Sequence, residues 1–210
     1  LAHARELIPP ERPGRDHFER LFARRGYCRV AGLDEAGRGP LAGPVVAAAV
    51  VLDPARPVDG IDDSKRLPEK IREALYVRIT EAALAWAVGV VGPDRIDRIN
   101  ILRASQEAMR RAVESLPERP DCLLIDGREG IGLPIFQKPI VRGDARSVSI
   151  GAASILAKVT RDGIMRDLHR RWPNYNFARH KGYPTLEHRA ALRRYGPCPA
   201  HRRSFHGVSP

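Results

Sequence analysis

The chain has 210 residues, enough for one ordinary domain with a modest appendage, and 43% hydrophobic content supports a buried core. Its 36 Lys and Arg against 25 Asp and Glu leave a net charge of +11, which points to a polyanionic partner. Residues 45–52 form the longest uninterrupted apolar run, far too short for a membrane-spanning helix, and Arg5, Glu6, Glu11, Arg12 and Arg15 leave no apolar stretch for a secretory signal.

Leu1 stands where an initiator Met is expected, so the native N-terminus is left open. Three scattered cysteines, Cys28, Cys122 and Cys198, argue against a disulfide framework and fit a reducing, cytoplasmic setting. Cys198-Pro-Ala-His201 has a ligand-like look, but a zinc site needs a second pair and none is present in the sequence.

In chain order, residues 16–25 read as a short helix ended by Gly26. Residues 29–34 and 45–52 read as two paired strands. Pro68 opens a helix whose apolar face is Leu67, Ile71, Leu75 and Ile79. A third strand over 86–91 precedes a second helix with Leu102, Met109, Val113 and Leu116 on one side. Residues 122–127 read as a buried strand ending in Asp126 and a turn glycine, and 136–141 as a fifth strand despite Pro139. A long helix rich in small and apolar residues is predicted from Asp144. After about Arg171 the composition turns to aromatics, His, Pro and Arg, with one more helix near 186–195. This order describes a mixed α/β sheet followed by a small C-terminal helical subdomain packed on it. The expected division is an N-terminal helical segment at 1–28, a catalytic domain at 29–171 and a C-terminal extension at 172–210.

Chemistry concentrates at Asp34-Glu35-Ala36-Gly37-Arg38-Gly39. Two adjacent carboxylates close an apolar run, and the turn that follows combines glycines, which let the backbone approach a ligand, with a fixed cationic fork. Asp126 is a poor filler at the end of a hydrophobic strand unless something pairs with it, although a turn residue before Gly127 would suffice. Asp144 begins the long helix, where an N-cap is the plainer reading. Together the four form an oxygen-only set in a cationic protein. Four carboxylates brought together repel unless cations sit between them, and such a set suits Mg²⁺ or Mn²⁺ rather than zinc. Two such ions about 3.5–4 Å apart activate water and stabilise a leaving oxygen in phosphoryl transfer. A basic protein so equipped reads as a nuclease or a related phosphodiester enzyme.

Residues 32–48 (Gly-Leu-Asp-Glu-Ala-Gly-Arg-Gly-Pro-Leu-Ala-Gly-Pro-Val-Val-Ala-Ala) resemble the signature of bacterial ribonuclease HII, of the type 2 ribonuclease H family. The resemblance continues through Asp63-Ser64-Lys65-Arg66-Leu67, Ile125-Asp126-Gly127, Arg142-Gly143-Asp144, residues 149–162, His180-Lys181-Gly182-Tyr183-Pro184-Thr185 and His201-Arg202-Arg203-Ser204-Phe205. It implies a ribonuclease H-like α/β fold, a five-stranded mixed sheet flanked by helices with a C-terminal helical extension. It implies cleavage of the RNA strand of RNA–DNA hybrids, or of DNA duplexes 5′ to an embedded ribonucleotide, giving a 3′-hydroxyl and a 5′-phosphate. The family's metal-binding catalytic carboxylates fall on Asp34, Glu35, Asp126 and Asp144. Its 2′-OH-sensing turn falls on Gly37, Arg38 and Gly39, and its junction aromatic on Tyr183, which alone would read as a packing residue. Ser64, Lys65, Lys158 and Lys181 are lesser candidates for phosphate or site contacts, since basic residues on so cationic a chain are usually solvated.

Gly151 stands where the family more usually has alanine, and Phe205-His206-Gly207 varies its tail. The sequence ends at Pro210 without the longer extension that recruits a sliding clamp in some relatives, which leaves a clamp contact doubtful; a monomer is the default. Ribonuclease HIII is the nearest rival, disfavoured by Arg38, where such relatives carry lysine, and by the short segment before Asp34. A catalytically silent nucleic-acid binder is the other, and four carboxylates on its binding face would work against it.

Overall fold

The computed structural model describes residues 14–208. The predicted N-terminal segment therefore falls partly outside the described residues. What lies within them begins with α1 (His17–Ala23), whose Phe22 packs with Cys122, Leu124, Ile140 and Ile150.

The two apolar runs around the acidic pair form β1 (Val30–Ala36) and β2 (Val45–Val51), joined antiparallel with Asp34 opposite Ala48 and Glu35 opposite Ala47. Every residue of β2 is buried because it lies between β1 and β3 (Ala85–Val91) with helices on both faces. β4 (Cys122–Asp126) joins β1 in parallel and β5 (Phe136–Ile140) joins β4 in parallel, giving the order β3-β2-β1-β4-β5. Pro139 is tolerated because β5 is an edge strand.

The pleat sorts the side chains. Ala31, Leu33, Val45, Ala47 and Ala49 face α4 (Ile101–Glu114), which supplies Ala104, Ala108, Met109 and Ala112. Ala48 and Val50 face α2 (Glu69–Ala82) and α5 (Val148–Arg171). Gly32 lets α5 approach β1: a Cβ there would lie 2.1 Å from the Ser149 carbonyl carbon.

Three expectations are corrected, and one short helix is added. α3 (Pro93–Ile99) is a separate short helix, divided from α4 by Asn100, whose left-handed backbone (φ 67°) breaks the helix and whose side chain accepts the Arg103 N–H. Ile71 is 49% exposed, because a four-residue spacing drifts by about 40° per step around a helix and only Leu75 and Ile79 stay on the contact. Leu102 is also exposed, at the first turn of α4. The long helix starts at Val148, capped by Ser147, and Asp144 sits in a separate short turn (Gly143–Ala145). The Val148 N–H, which would bond Asp144 in a continuous helix, donates to the Arg15 carbonyl instead at 2.9 Å.

Beyond α5 come α6 (Phe177–His180) and α7 (Leu186–Tyr195). Their cluster of Tyr175, Phe177, Ala191, Leu192, Cys198 and Ala200 closes on Met165 of α5 and on Leu41 and Ala42 of the β1–β2 connection, rather than on the face of the sheet. Among the described residues no helix is long and apolar enough to cross a membrane.

Candidate active site

The last parallel pair between β1 and β4 is Leu33 with Ile125, and on each strand the next residue is an aspartate. Adjacent strands thus deliver Asp34 and Asp126 to one end of the sheet. Asp34 is 4% exposed; its Oδ1 accepts the Glu35 N–H at 2.7 Å, and the Ser154 hydroxyl on α5 also bonds it. Asp126 Oδ1 accepts the Gly143 N–H at 2.7 Å, which ties the end of β4 to the turn carrying Asp144. Asp144 is buried and accepts its neighbour's N–H from Ala145.

Burial pushes the Asp34 carboxyl well above its ordinary range, and the charges of Glu35 and Asp126 push it further. Burial raises Glu35, opposed by Arg38 at 3.2 Å; burial and Asp126 raise Asp144. Lys65 Nζ lies 3.8 Å from Asp144 Oδ2 and feels Asp34 and Asp126 as well, so its pKa rises despite its partial burial. Four carboxylates with Lys65 and Arg38 beside them leave excess negative charge out of water. That is the environment a hard divalent ion fits. Among the described residues no three acidic, His or Cys side chains are closed around a common point. A cleft of about 330 Å³, lined by Glu35, Arg38, Leu102, Gln106, Asp126 and Arg128, opens beside them.

Residues 37–44, between β1 and β2, rest on two buried guanidinium groups that sequence reasoning missed. Arg202 donates to the carbonyls of Gly37 (2.6 Å), Arg38 (3.0 Å) and Gly43 (3.0 Å). Arg161 donates to those of Pro44 (3.0 Å), Ala42 (3.1 Å) and Lys181 (3.1 Å). Burial pulls Arg161 down to about 10, and burial with the Arg161 charge pulls Arg202 down to about 9, so both remain cationic near neutrality. Gly37 is required in this arrangement: its φ is +99° and a Cβ would lie 2.0 Å from Arg161 Nε. In a trans peptide the N–H opposes the C=O. Carbonyls of Gly37 and Arg38 turned toward Arg202 therefore turn the N–H groups of Arg38 and Gly39 away from it, at residues that are exposed. Tyr183, 45% exposed, stands beside this turn; a Cβ on Gly39 would lie 3.6 Å from its ring.

The lesser candidates separate. Lys65 joins the carboxylates. Ser64 is buried and bonds Ser154 at 2.8 Å, behind Asp34. Lys158 pairs with Asp162 at 2.7 Å, and the Lys181 ammonium donates to the Ala178 carbonyl at 2.6 Å. Cys198 and His201 form a buttress: the Cys198 N–H donates to His201 Nδ1 (3.0 Å), leaving Nε2–H to face His188 Nε2 (3.0 Å), whose Nδ1–H meets the Tyr183 carbonyl (2.9 Å).

The family described as Ribonuclease HII matches residues 31–208. The chain belongs to the ribonuclease HII family. A ribonuclease HII of Syntrophotalea carbinolica is 50% identical over 203 residues, 97% of each chain, and one of Syntrophus aciditrophicus is 56% identical over 192 residues, 91% of each. The ribonuclease H2 of Pyrococcus horikoshii OT3 superposes with a TM-score of 0.72 at 28% identity, over 86% of this chain and 95% of that one. As a ribonuclease HII the protein is an endonuclease, a hydrolase acting on the RNA of RNA–DNA hybrids, and its five-stranded mixed sheet is the ribonuclease H-like fold that the resemblance implied. Membership sets aside the silent-binder and ribonuclease HIII readings.

Proposed function

We propose that this ribonuclease HII incises on the 5′ side of a ribonucleotide, in a hybrid or within duplex DNA, leaving a 3′-hydroxyl and a 5′-phosphate. The observation that carries the reading is one juxtaposition. Like-charged carboxylates at the ends of β1 and β4, Asp34 buried and Asp126 half-buried, adjoin an exposed turn whose N–H groups face outward, with an aromatic ring at its side.

As a ribonuclease H family member the protein depends on a divalent metal. Asp34, Glu35, Asp126 and Asp144 are the groups to hold it, as two Mg²⁺ or Mn²⁺ ions, which supply Lewis acidity for the attacking water and the departing oxygen. The protein's own part is positional. The outward N–H groups of Arg38 and Gly39 meet the 2′-hydroxyl oxygen, a group deoxyribose lacks. Tyr183 packs on the neighbouring deoxyribose. Arg38, paired with Glu35 at 3.2 Å, holds its guanidinium beside the carboxylates, where it would meet a phosphate. The surplus of basic residues sets duplex affinity and makes it fall with salt. In this reading the protein acts as a monomer.

The test is a labelled DNA duplex with one embedded ribonucleotide, incubated with Mg²⁺, with Mn²⁺ and with chelator. Metal-dependent incision just 5′ of the ribonucleotide is expected, with Asp34→Asn binding the duplex but cutting at least about 10³-fold more slowly. Cleavage confined to long hybrids would refute the single-ribonucleotide reading, and a near-wild-type Asp34→Asn rate would refute the carboxylate assignment.

A further inference from the structure

Arg15 belongs to none of the groups above, yet it touches the site from behind. Its main-chain carbonyl accepts the Val148 N–H at 2.9 Å, and its Nη2 donates to the Asp144 carbonyl. Those two groups are the partners that would bond each other if α5 ran on unbroken to Asp144. Arg15 takes both, beside the extended Ser147 that caps α5. The other end of the same guanidinium donates to Asp62 Oδ1 at 2.6 Å. Asp62 lies on the loop that presents Lys65, whose ammonium reaches the Asp144 carboxylate at 3.8 Å. One side chain thereby locks the Lys65 loop to the Asp144 turn. Four residues on, Glu19 of α1 secures the same junction: its Oε1 accepts the Ser149 N–H (3.0 Å) and the hydroxyls of Ser147 and Ser149 (2.5 Å each).

The space for this guanidinium is made by Gly151. A Cβ there would stand 2.8 Å from Arg15 Nη2, 2.9 Å from Ile61 Cγ2 and 3.1 Å from the Asp144 carbonyl oxygen. The two side chains are one device: the missing methyl admits the arginine.

We propose that Arg15, admitted by Gly151, is a positioning residue that holds Asp144 out of α5 and sets it for metal binding. The inference rests on Asp144 being a metal ligand, as proposed above. Without the guanidinium, the freed Asp144 carbonyl competes for the Val148 N–H, the helix gains a turn, and the carboxylate rotates away from Asp126.

The experiment is Mn²⁺ titration of the free, full-length protein, followed by the electron paramagnetic resonance of unbound Mn²⁺, alongside thermal midpoints and metal-dependent incision. Arg15→Ala and Gly151→Ala are each expected to weaken Mn²⁺ binding about tenfold or more, the effect typical of losing a partner behind a metal ligand. The double variant is expected to bind no more weakly than either single one, because both remove the same contact. Arg15→Lys, which folds with charge retained but cannot bridge two acceptors, is expected to restore only part of the affinity. Unchanged Mn²⁺ affinity in folded Arg15→Ala, or additive losses in the double variant, would overturn the proposal. Wild-type protein that bound no Mn²⁺ would instead overturn the metal-site reading on which it stands.

Discussion

A carboxylate taken out of water is stable only if its charge is matched or its proton retained. Asp34, Glu35 and Asp144 are all pushed upward, chiefly by burial and then by neighbouring carboxylates, Asp126 in every case, while Lys65 and Arg38 offset part of the repulsion. Groups raised in this way weaken the fold in a definite direction. Their contribution is intact below the ordinary carboxylate range and is lost as pH rises through the raised values. A divalent ion removes that penalty. Mg²⁺ is therefore expected to raise the thermal midpoint, and to raise it more at pH 8 than at pH 5, because protons compete with the ion for groups whose values are raised. Saturation at about 100 times the dissociation constant contributes about 2.7 kcal/mol, or roughly 5–10 °C for a domain of this size. Calorimetry with and without Mg²⁺ at the two pH values checks this, and equal shifts at both would mean that the ion binds elsewhere.

The β1–β2 connection shows how an exposed element is made rigid from beneath. Its carbonyls turn inward to Arg161 and Arg202, so its outward N–H groups are set before any ligand arrives. Arg202→Lys retains the charge but cannot reach three carbonyls in the geometry of a planar fork. It leaves buried acceptors unpaired at about 1–3 kcal/mol each. The expected result is a lower urea midpoint together with poorer discrimination between ribose and deoxyribose at the cleavage position. Loss of stability with discrimination unchanged would restrict Arg202 to a packing role.

The C-terminal subdomain joins the rest of the molecule through this same connection, and its three buried histidines make that junction sensitive to pH. His180, His188 and His201 are lowered by burial, the last to about 4, and their ring nitrogens are held by protein groups that require the neutral form. A depressed folded value means that the unfolded chain binds the proton first. Stability is full above about 6.5, declines as pH falls below it, and for His201 is lost by about 4, a change on the order of 3 kcal/mol. Trp172 packs against the hydrophobic cluster of this subdomain, so its emission in a Trp86→Phe protein reports the transition locally. Its melting midpoint is expected to hold steady above pH 7 and drop between pH 6.5 and 4. A flat profile would mean that the histidines are not held neutral.

The sequence by itself determined the sheet and most of the candidate site. Apolar runs ending in Asp34 and Asp126 announce buried strands whose ends need a partner for charge, and the motif blocks name the family. Local chemistry is enough there, because a strand's pattern and its terminal carboxylate are contiguous in the chain. Tertiary structure decided which charges are inside. Arg161 and Arg202 read as two more cations on a basic chain until residues distant in sequence bring main-chain carbonyls to them. Ser64 reads as a phosphate contact until α5 covers it with Ser154. Asp144 reads as the first residue of a helix until Arg15 takes the hydrogen bond that would have made it so. Hydrogen-bond competition between remote segments leaves no local pattern in a sequence; only the folded chain settles it.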